Sequence, residues 1–302
     1  MPGSLISIND LSNDQIEEIY QLAQKISKDE KSFKLENQIL VNFFFENSTR
    51  TRTSFEIAAK RLGMKVINID ISLSSLKKGE SISDMAKTIN AMNPDFVVIR
   101  HNSSGIVKFL DEHICASLIN AGDGTNEHPT QALLDFFVIK NHFPDLKGLK
   151  VAICGDVLHS RVAHSNLNLL SRFGCKINII SPQTFIPKDY QAFLEKKWQA
   201  KLYHKLEDGI KDVDVVMMLR IQRERMNGCY IASLNEYGKL YGLNQERMSL
   251  TNDAIIMHPG PINRGVEIAS DLVDNSKKSL ILDQVNAGVE IRKAILYYLD
   301  AR

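Results

Sequence analysis

The chain has 302 residues, with 37 Lys and Arg against 36 Asp and Glu, a formal charge of +1, 44% apolar and 24% charged residues. That balance excludes extensive disorder and supplies no global field to draw the protein to nucleic acid or a membrane surface, so any anion site must be local. The length suits two medium-sized α/β domains, each with its own core.

The opening "MPGSLISIND" has no basic stretch followed by an apolar core. No run approaches the roughly 18 apolar residues of a membrane span, and a cytoplasmic location is expected. From there, "QILVNFFF" (38–45) is a continuous apolar run, as in a strand covered on both faces. Phe55, Ile57, Ala58, Ala59 and Leu62 then give a helical face over about 51–62, with Gly63 placed to end it. Next come a strand at 64–69, a helix over 81–92, a strand at 96–100, a helix near 104–112 and a strand at 115–120. "HPTQALLDFFVIKNHFPDLKG" carries a helical pattern that links the halves.

The second half repeats the plan. Strands are expected at 149–154, 175–180, 201–203 and 213–219, and helices over 160–173 and 187–199, with Gly174 as a cap. Residues 221–245 have weak periodicity and glycines at 228, 238 and 242, the pattern of a mobile lid. "VEIRKAILYYLDAR" (289–302) is a final amphipathic helix. Strands alternating with helices at this spacing predict α/β architecture: two Rossmann-like three-layer domains, each a parallel sheet flanked by helices.

The chemistry concentrates in "FENSTRTRTSF" (45–55), a turn between a buried strand and a helix. Open α/β sheets place ligands at that end of a strand, and a helix N-terminus there offers unpaired N–H groups and a positive dipole end. With the hydroxyls and Arg50 this suits a phosphate. The alternative is an ordinary N-cap, with Ser48 or Thr49 satisfying the helix and both arginines solvated. No GxxxxGK[ST] occurs, and "VAICGDVLHSRVAHS" has only Gly155 where a dinucleotide fold wants three glycines. Cys115, Cys154, Cys175 and Cys229 show neither CxxC pairing nor zinc spacing, so buried reduced thiols are expected.

"FENSTRTRTSFEIAAKRLG", "SSLKKGES", "RHNSSG", "GDGTNEHPTQALLD", "GDVLHSRVAHS", "LRIQRER" and "HPGPINRGVEI" stand in the order and at the separations of the carboxylate-accepting, aspartate branch of the carbamoyltransferases, and essentially the whole chain resembles that family. The resemblance implies transfer of a carbamoyl group from carbamoyl phosphate to L-aspartate, giving N-carbamoyl-L-aspartate and phosphate, the committed step of pyrimidine synthesis. It implies a carbamoyl phosphate-binding domain over 1–135, with a C-terminal helix 286–302 packing back on it, and an aspartate-binding domain over 136–285. The active site would lie in the cleft between them.

By the same resemblance, Ser48, Thr49, Arg50 and Thr51 bind the phosphate end, while Thr51, Arg100 and His128 polarise the carbonyl. Gln131 and the backbone carbonyls of Pro259 and Gly260 hold the carbamoyl NH2. Arg161 takes the α-carboxylate of aspartate, and Arg220 with Gln222 the side-chain carboxylate. Ser74 and Lys78 reach in from an adjacent subunit, so the working unit is a homotrimer with shared sites. The resemblance leaves room for regulatory chains or other pyrimidine enzymes as partners, and implies no metal, no cofactor, no nucleic acid and no membrane. Read without it, His128 before a proline is a capping or packing residue, and Arg161 and Arg220 are solvated ends of elements. The ornithine branch is the nearest rival; its "HCLP" and "SMG" elements are absent, and "LRIQRER" sets an arginine where a cationic substrate would be repelled.

Overall fold

The computed structural model describes residues 3–70, 81–222 and 231–302. Two compact units emerge: Met1–Phe137 with Val285–Arg302, and Val138–Gln284. Each is a wholly parallel sheet flanked by helices.

In the first unit the strands are β1 (Ile39–Phe44), β2 (Lys65–Asp70), β3 (Phe96–His101) and β4 (Ser117–Asp123), in the order β2-β1-β3-β4. Its helices are α1 (Asn13–Lys28), α2 (Thr49–Arg61), α3 (Ile82–Met92), α4 (Ile106–Asp111) and most of α5 (Pro129–His142). β1 and β3 are nearly continuous apolar runs because both their faces are covered. Val41, Phe43, Val97 and Ile99 meet Met85, Ala86 and Ile89 of α3 and Val107 and Leu110 of α4. α2 lies against β1 and β2, with Phe55, Ala58 and Ala59 wholly buried.

The second unit has β5 (Lys150–Cys154), β6 (Lys176–Ile180), β7 (Lys201–Tyr203), β8 (Val215–Met218) and β9 (Ile255–Met257), in the order β7-β6-β5-β8-β9. Its helices are α6 (Arg161–Arg172), α7 (Tyr190–Trp198), α8 (Leu206–Ile210), α9 (Leu234–Tyr241), α10 (Gln245–Met248) and α11 (Ser270–Asp274). Ala152, Cys154, Val216 and Met218 share one core with Leu206 and Ile210 of α8 and Leu272 of α11. The last helix, α12 (Ile281–Asp300), begins before the second boundary and ends in the first unit.

Both sheets reverse direction of growth once. The chain runs from β1 outward to β2, then returns to β3 and proceeds to β4; likewise β5, β6 and β7 are followed by β8 and β9 on the other side. The carboxyl ends of β1 and β3, and of β5 and β8, are therefore topological switch points, where open α/β sheets form their ligand crevices.

Several elements differ from the periodicity-based expectation. α1 is additional, opened by a capping box in which Ser12 accepts from the Gln15 N–H and Gln15 accepts from that of Ser12. Its inward face is Ile16, Ile19, Tyr20, Ala23 and Ile26. β9 is also additional, too short for period to reveal. α12 starts at Ile281, ahead of both the 289 expected from the apolar pattern and the 286 implied by the resemblance, and runs through Gly288, where a Cβ would stand 2.5 Å from a nitrogen of Arg292. The lid expected over 221–245 contains α9, anchored by Tyr237, 2% exposed beside Phe185 and Ile221. The rest of that expectation falls partly on 223–230, outside the described residues. Of the thiols, Cys154 and Cys175 are buried but Cys115 is exposed, because it lies in the segment leading into β4; Cys229 is outside the described residues.

Candidate active site

At the first switch point α2 starts at Thr49, so Thr49, Arg50 and Thr51 form its first turn and Ser48 is the N-cap residue. Ser48 makes no side-chain capping bond. The ordinary N-cap reading would have its hydroxyl spent on the helix, and it is not. Thr51 is 8% exposed, while Arg50 is exposed.

Phe44 of β1 stands in register with Arg100 near the end of β3, and the Phe45 N–H donates to the Arg100 carbonyl at 2.8 Å. That register sets Arg100 at the carboxyl end of the sheet, the same end from which the chain leaves β1 toward the Ser48–Thr51 turn. Its Nε donates to Glu46 Oε1 at 2.7 Å and its Nη1 to the Ala121 carbonyl at 3.3 Å. Glu46, which sequence patterns did not single out, fixes the plane of the guanidinium.

His128 and Gln131 follow β4 through "GDGTNEHP". Asp123 gathers that loop, accepting from the Gly105 N–H at 2.7 Å, the Glu127 N–H at 3.2 Å and the Asn126 and Asn120 amides. Glu127 accepts from the Ser7 hydroxyl at 2.7 Å and the Ile8 N–H at 2.9 Å. Burial, opposed by those two bonds, holds its carboxyl above the usual range. His128 is thus set in a rigid frame. It is 3% exposed, its carbonyl accepts from the Gln131 and Ala132 N–H groups, and its Nδ1 faces the Thr130 hydroxyl at 3.4 Å. Gln131 donates Nε2 to Asp135 Oδ1 at 2.9 Å. His101, beside Arg100, is kept below the usual histidine pKa by burial and accepts at Nδ1 from the Ser103 N–H at 2.8 Å.

The second unit has its own cluster. Gly155 ends β5 at φ +128°, where a Cβ would stand 2.8 Å from the Leu219 carbonyl, so only glycine permits this approach of the turn to the end of β8. Asp156, wholly buried, bridges the two segments: it accepts from the Gln222 N–H at 3.2 Å and lies 2.8 Å from His159 Nδ1. Arg220, just beyond β8, donates Nη2 to Gln222 Oε1 at 3.1 Å. Arg161, 3% exposed, opens α6 behind the cap Ser160, which accepts from the Ala163 N–H at 3.2 Å.

Beyond β9, His258 accepts at Nδ1 from the Gly260 N–H at 2.9 Å, so its Nε2 carries the hydrogen facing Glu267 Oε1 at 3.2 Å. Glu267 also accepts from the Asn263 N–H at 2.6 Å, and Gln284 accepts from the His258 N–H at 2.8 Å. This buried set folds the segment carrying Pro259 and Gly260. Ser74 and Lys78 lie outside the described residues. Among the described residues no group of three or more His, Cys, Asp or Glu is placed to share a metal ion. None of their helices is long and apolar enough to cross a membrane.

Comparison with known proteins places these clusters in a family. Residues 4–141 match the family model described as aspartate/ornithine carbamoyltransferase, carbamoyl-P binding domain, and 147–299 match the corresponding Asp/Orn binding domain. The aspartate carbamoyltransferase catalytic subunit of Wolbachia sp. subsp. Drosophila simulans (strain wRi) is 52% identical over 98% of this chain and 97% of its own length. The aspartate transcarbamoylase of Trypanosoma cruzi, solved in complex with N-(phosphonacetyl)-L-aspartic acid, aligns with a TM-score of 0.89 at 29% identity, covering 98% of this chain and 95% of that one. The catalytic subunit of M. jannaschii aspartate transcarbamoylase aligns at 0.84 and 37% identity over 99% and 98%. By both domain matches and near-complete coverage, the chain belongs to the aspartate/ornithine carbamoyltransferase family.

Proposed function

We propose that the protein transfers the carbamoyl group of carbamoyl phosphate to the α-amino nitrogen of L-aspartate, releasing phosphate, in the committed step of pyrimidine synthesis. The observation that carries this reading is the gathering of anion-binding groups at the two switch points: Ser48, Thr49, Arg50, Thr51 and Arg100 at one, Arg220 with Gln222 at the other. Both substrates are anions, and an almost neutral chain must concentrate its cations locally to hold them.

In this reading the first unit is the carbamoyl phosphate-binding domain and the second the aspartate-binding domain. The α2 N-terminus, Ser48, Thr49, Arg50 and Thr51 take the phosphate. Thr51, Arg100 and His128 donate to the carbonyl oxygen, where negative charge grows as the amine attacks; one well-placed donor of this kind contributes about 3 kcal/mol. Gln131 and the Pro259 and Gly260 carbonyls accept from the carbamoyl NH2. Arg161 and Arg220 grip the two carboxylates of aspartate, with Gln222 beside the second.

The unprotonated amine forms the new N–C bond, the C–O bond to phosphate breaks, and the departing phosphate accepts the amine proton. The step calls for no metal or cofactor. Holding two anions in attack geometry contributes about 7 to 11 kcal/mol when alignment is good. In this reading the working unit is a cytoplasmic homotrimer in which Ser74 and Lys78 of a neighbouring subunit complete each active site, with room for regulatory chains or other pyrimidine enzymes as partners.

The test offers carbamoyl phosphate with L-aspartate and, in parallel, L-ornithine, to the protein and to Arg50→Ala. Carbamoyl-aspartate and phosphate should form in equal amounts, with kcat/KM at least a hundredfold lower in the variant, the scale of a lost charge-stabilising donor. Turnover with ornithine alone would overturn the aspartate assignment.

A further inference from the structure

We propose that Asp135 is a positioning residue: it locks the Gln131 amide with its oxygen presented as an acceptor, and so makes the site select a carbamoyl NH2 over a methyl in the same place. The inference rests on the carbamoyl phosphate reading above and adds to it the group that reads the acyl end of the substrate.

Gln131 and Asp135 are four residues apart on α5, hence on one face of the helix. Both are buried, at 8% and 0% exposure, and Gln131 Nε2 lies 2.9 Å from Asp135 Oδ1. A carboxylate has only acceptors to offer, so the side of the amide that faces it must be NH2. The amide oxygen is then directed away from Asp135. A glutamine without such a partner could rotate by half a turn and offer donors instead; the carboxylate removes that state.

Asp135 is itself backed by charge. Arg292 of α12, 3% exposed, acts electrostatically on Asp135 while burial pushes its own pKa down to about 10. It donates Nη1 to the Gly288 carbonyl at 2.8 Å and stands over the Phe55 ring at 5.0 Å. The absent side chain of Gly288 makes room for that guanidinium, since a Cβ would lie 2.5 Å from its Nη1. Phe55 belongs to α2, the helix whose first turn carries Thr49, Arg50 and Thr51. One buried set, Phe55, Arg292 and Asp135, thus connects the phosphate-end helix with the residue that reads the opposite end of the substrate. A site arranged around a hydrogen-bonding NH rejects an analogue lacking it because its own polar group is left unpaired.

Asp135→Asn is the informative change. The Arg292 charge attracts the new amide oxygen, leaving NH2 toward Gln131, which then turns and presents donors to the carbamoyl NH2. Binding of carbamoyl phosphate, acetyl phosphate and inorganic phosphate would be measured calorimetrically for the wild type, Asp135→Asn, Gln131→Ala and the double variant. The expected result is a tenfold or greater loss for carbamoyl phosphate, with the other two ligands changed less than twofold. In the Gln131→Ala background Asp135→Asn should add nothing. Equal losses for all three ligands, or full additivity, would make Asp135 merely structural and overturn the proposal.

Turnover of carbamoyl phosphate by a wild type that binds acetyl phosphate equally well would sink this inference alone. Absence of carbamoyl phosphate binding in the wild type would sink the functional reading and this inference with it. Should Asp135→Asn fail to fold, Asp135→Leu/Arg292→Met removes the carboxylate and its buried countercharge together; the unlocked Gln131 amide should then lose the preference for carbamoyl phosphate over acetyl phosphate in the same measurement, and an unchanged preference would overturn the proposal.

Discussion

In the proposed reading, Arg220 and Gln222 form a carboxylate reader that is oriented before a ligand arrives. Gln222 is tied through its backbone N–H to the buried Asp156, and its side-chain oxygen accepts from one arm of the Arg220 guanidinium. A planar fork held by one arm has already lost much of its rotamer freedom and keeps its remaining donors aligned. Lysine has the charge but not the fork. Arg220→Lys is therefore expected to raise KM for aspartate ten- to a hundredfold, about 1.5–3 kcal/mol for a hydrogen bond to a charged group, leaving KM for carbamoyl phosphate within twofold. Steady-state kinetics with each substrate varied in turn checks this; equal rises in both constants would count against it. At this scale the cations are legible from the sequence, but their orienting partners are not. Glu46, Asp135, Asp156 and Glu267 are acids among many, and only the fold brings each to the group it fixes.

At the scale of elements, the proposed phosphate site has the α2 N-terminus trade stability for binding. An Asp at the N-cap accepts from the first-turn N–H groups and suits the helix dipole, contributing about 1 kcal/mol. Ser48 forgoes this, since its hydroxyl makes no capping bond. Ser48→Asp should raise the melting temperature while increasing KM for carbamoyl phosphate at least tenfold, because the new carboxylate takes the donors meant for phosphate. Thermal melts and kinetics on one preparation decide it, and a variant that is both more stable and fully active would refute the trade. The β1–α2 unit is legible because apolar continuity gives way to helical period at a hydroxyl-rich turn. α12 is less so: the apolar pattern places its start at 289, past Gly288, whose missing side chain is explained only by the bulk of Arg292 beside it. α1 carries a capping box and an apolar stripe, yet its start lies among polar residues that also suit a loop.

For the molecule as a whole, two parallel sheets follow from the repeated strand and helix alternation, and the switch points follow once strand order is known, which local sequence does not state. The two units also bury different chemistry. Burial raises the Cys175 thiol to about 12 and the Cys154 thiol further, and raises the Tyr237 hydroxyl well above its usual value; all three belong to the second unit. An unfolded thiol titrates near about 8.5, so above that pH the unfolded chain releases protons that the folded unit retains. Stability from these thiols is thus complete below about pH 8 and falls as pH rises, by up to about 1.4 kcal/mol per pH unit for each. Tyr20 and Tyr298 of the first unit act in the same direction, but only from about pH 10 upward. The chain's only tryptophan, Trp198, is buried in the second unit with its Nε1 donating to Asn168 at 2.9 Å, so its emission reports that unit alone. Between pH 8 and 9.5 the urea midpoint read by Trp198 should fall further than the one read by circular dichroism, and Cys154→Ala should lessen that dependence by about half, being one of two buried thiols. If both probes move together, the units unfold as one; if the slope survives Cys154→Ala/Cys175→Ala, the buried thiols are not its source.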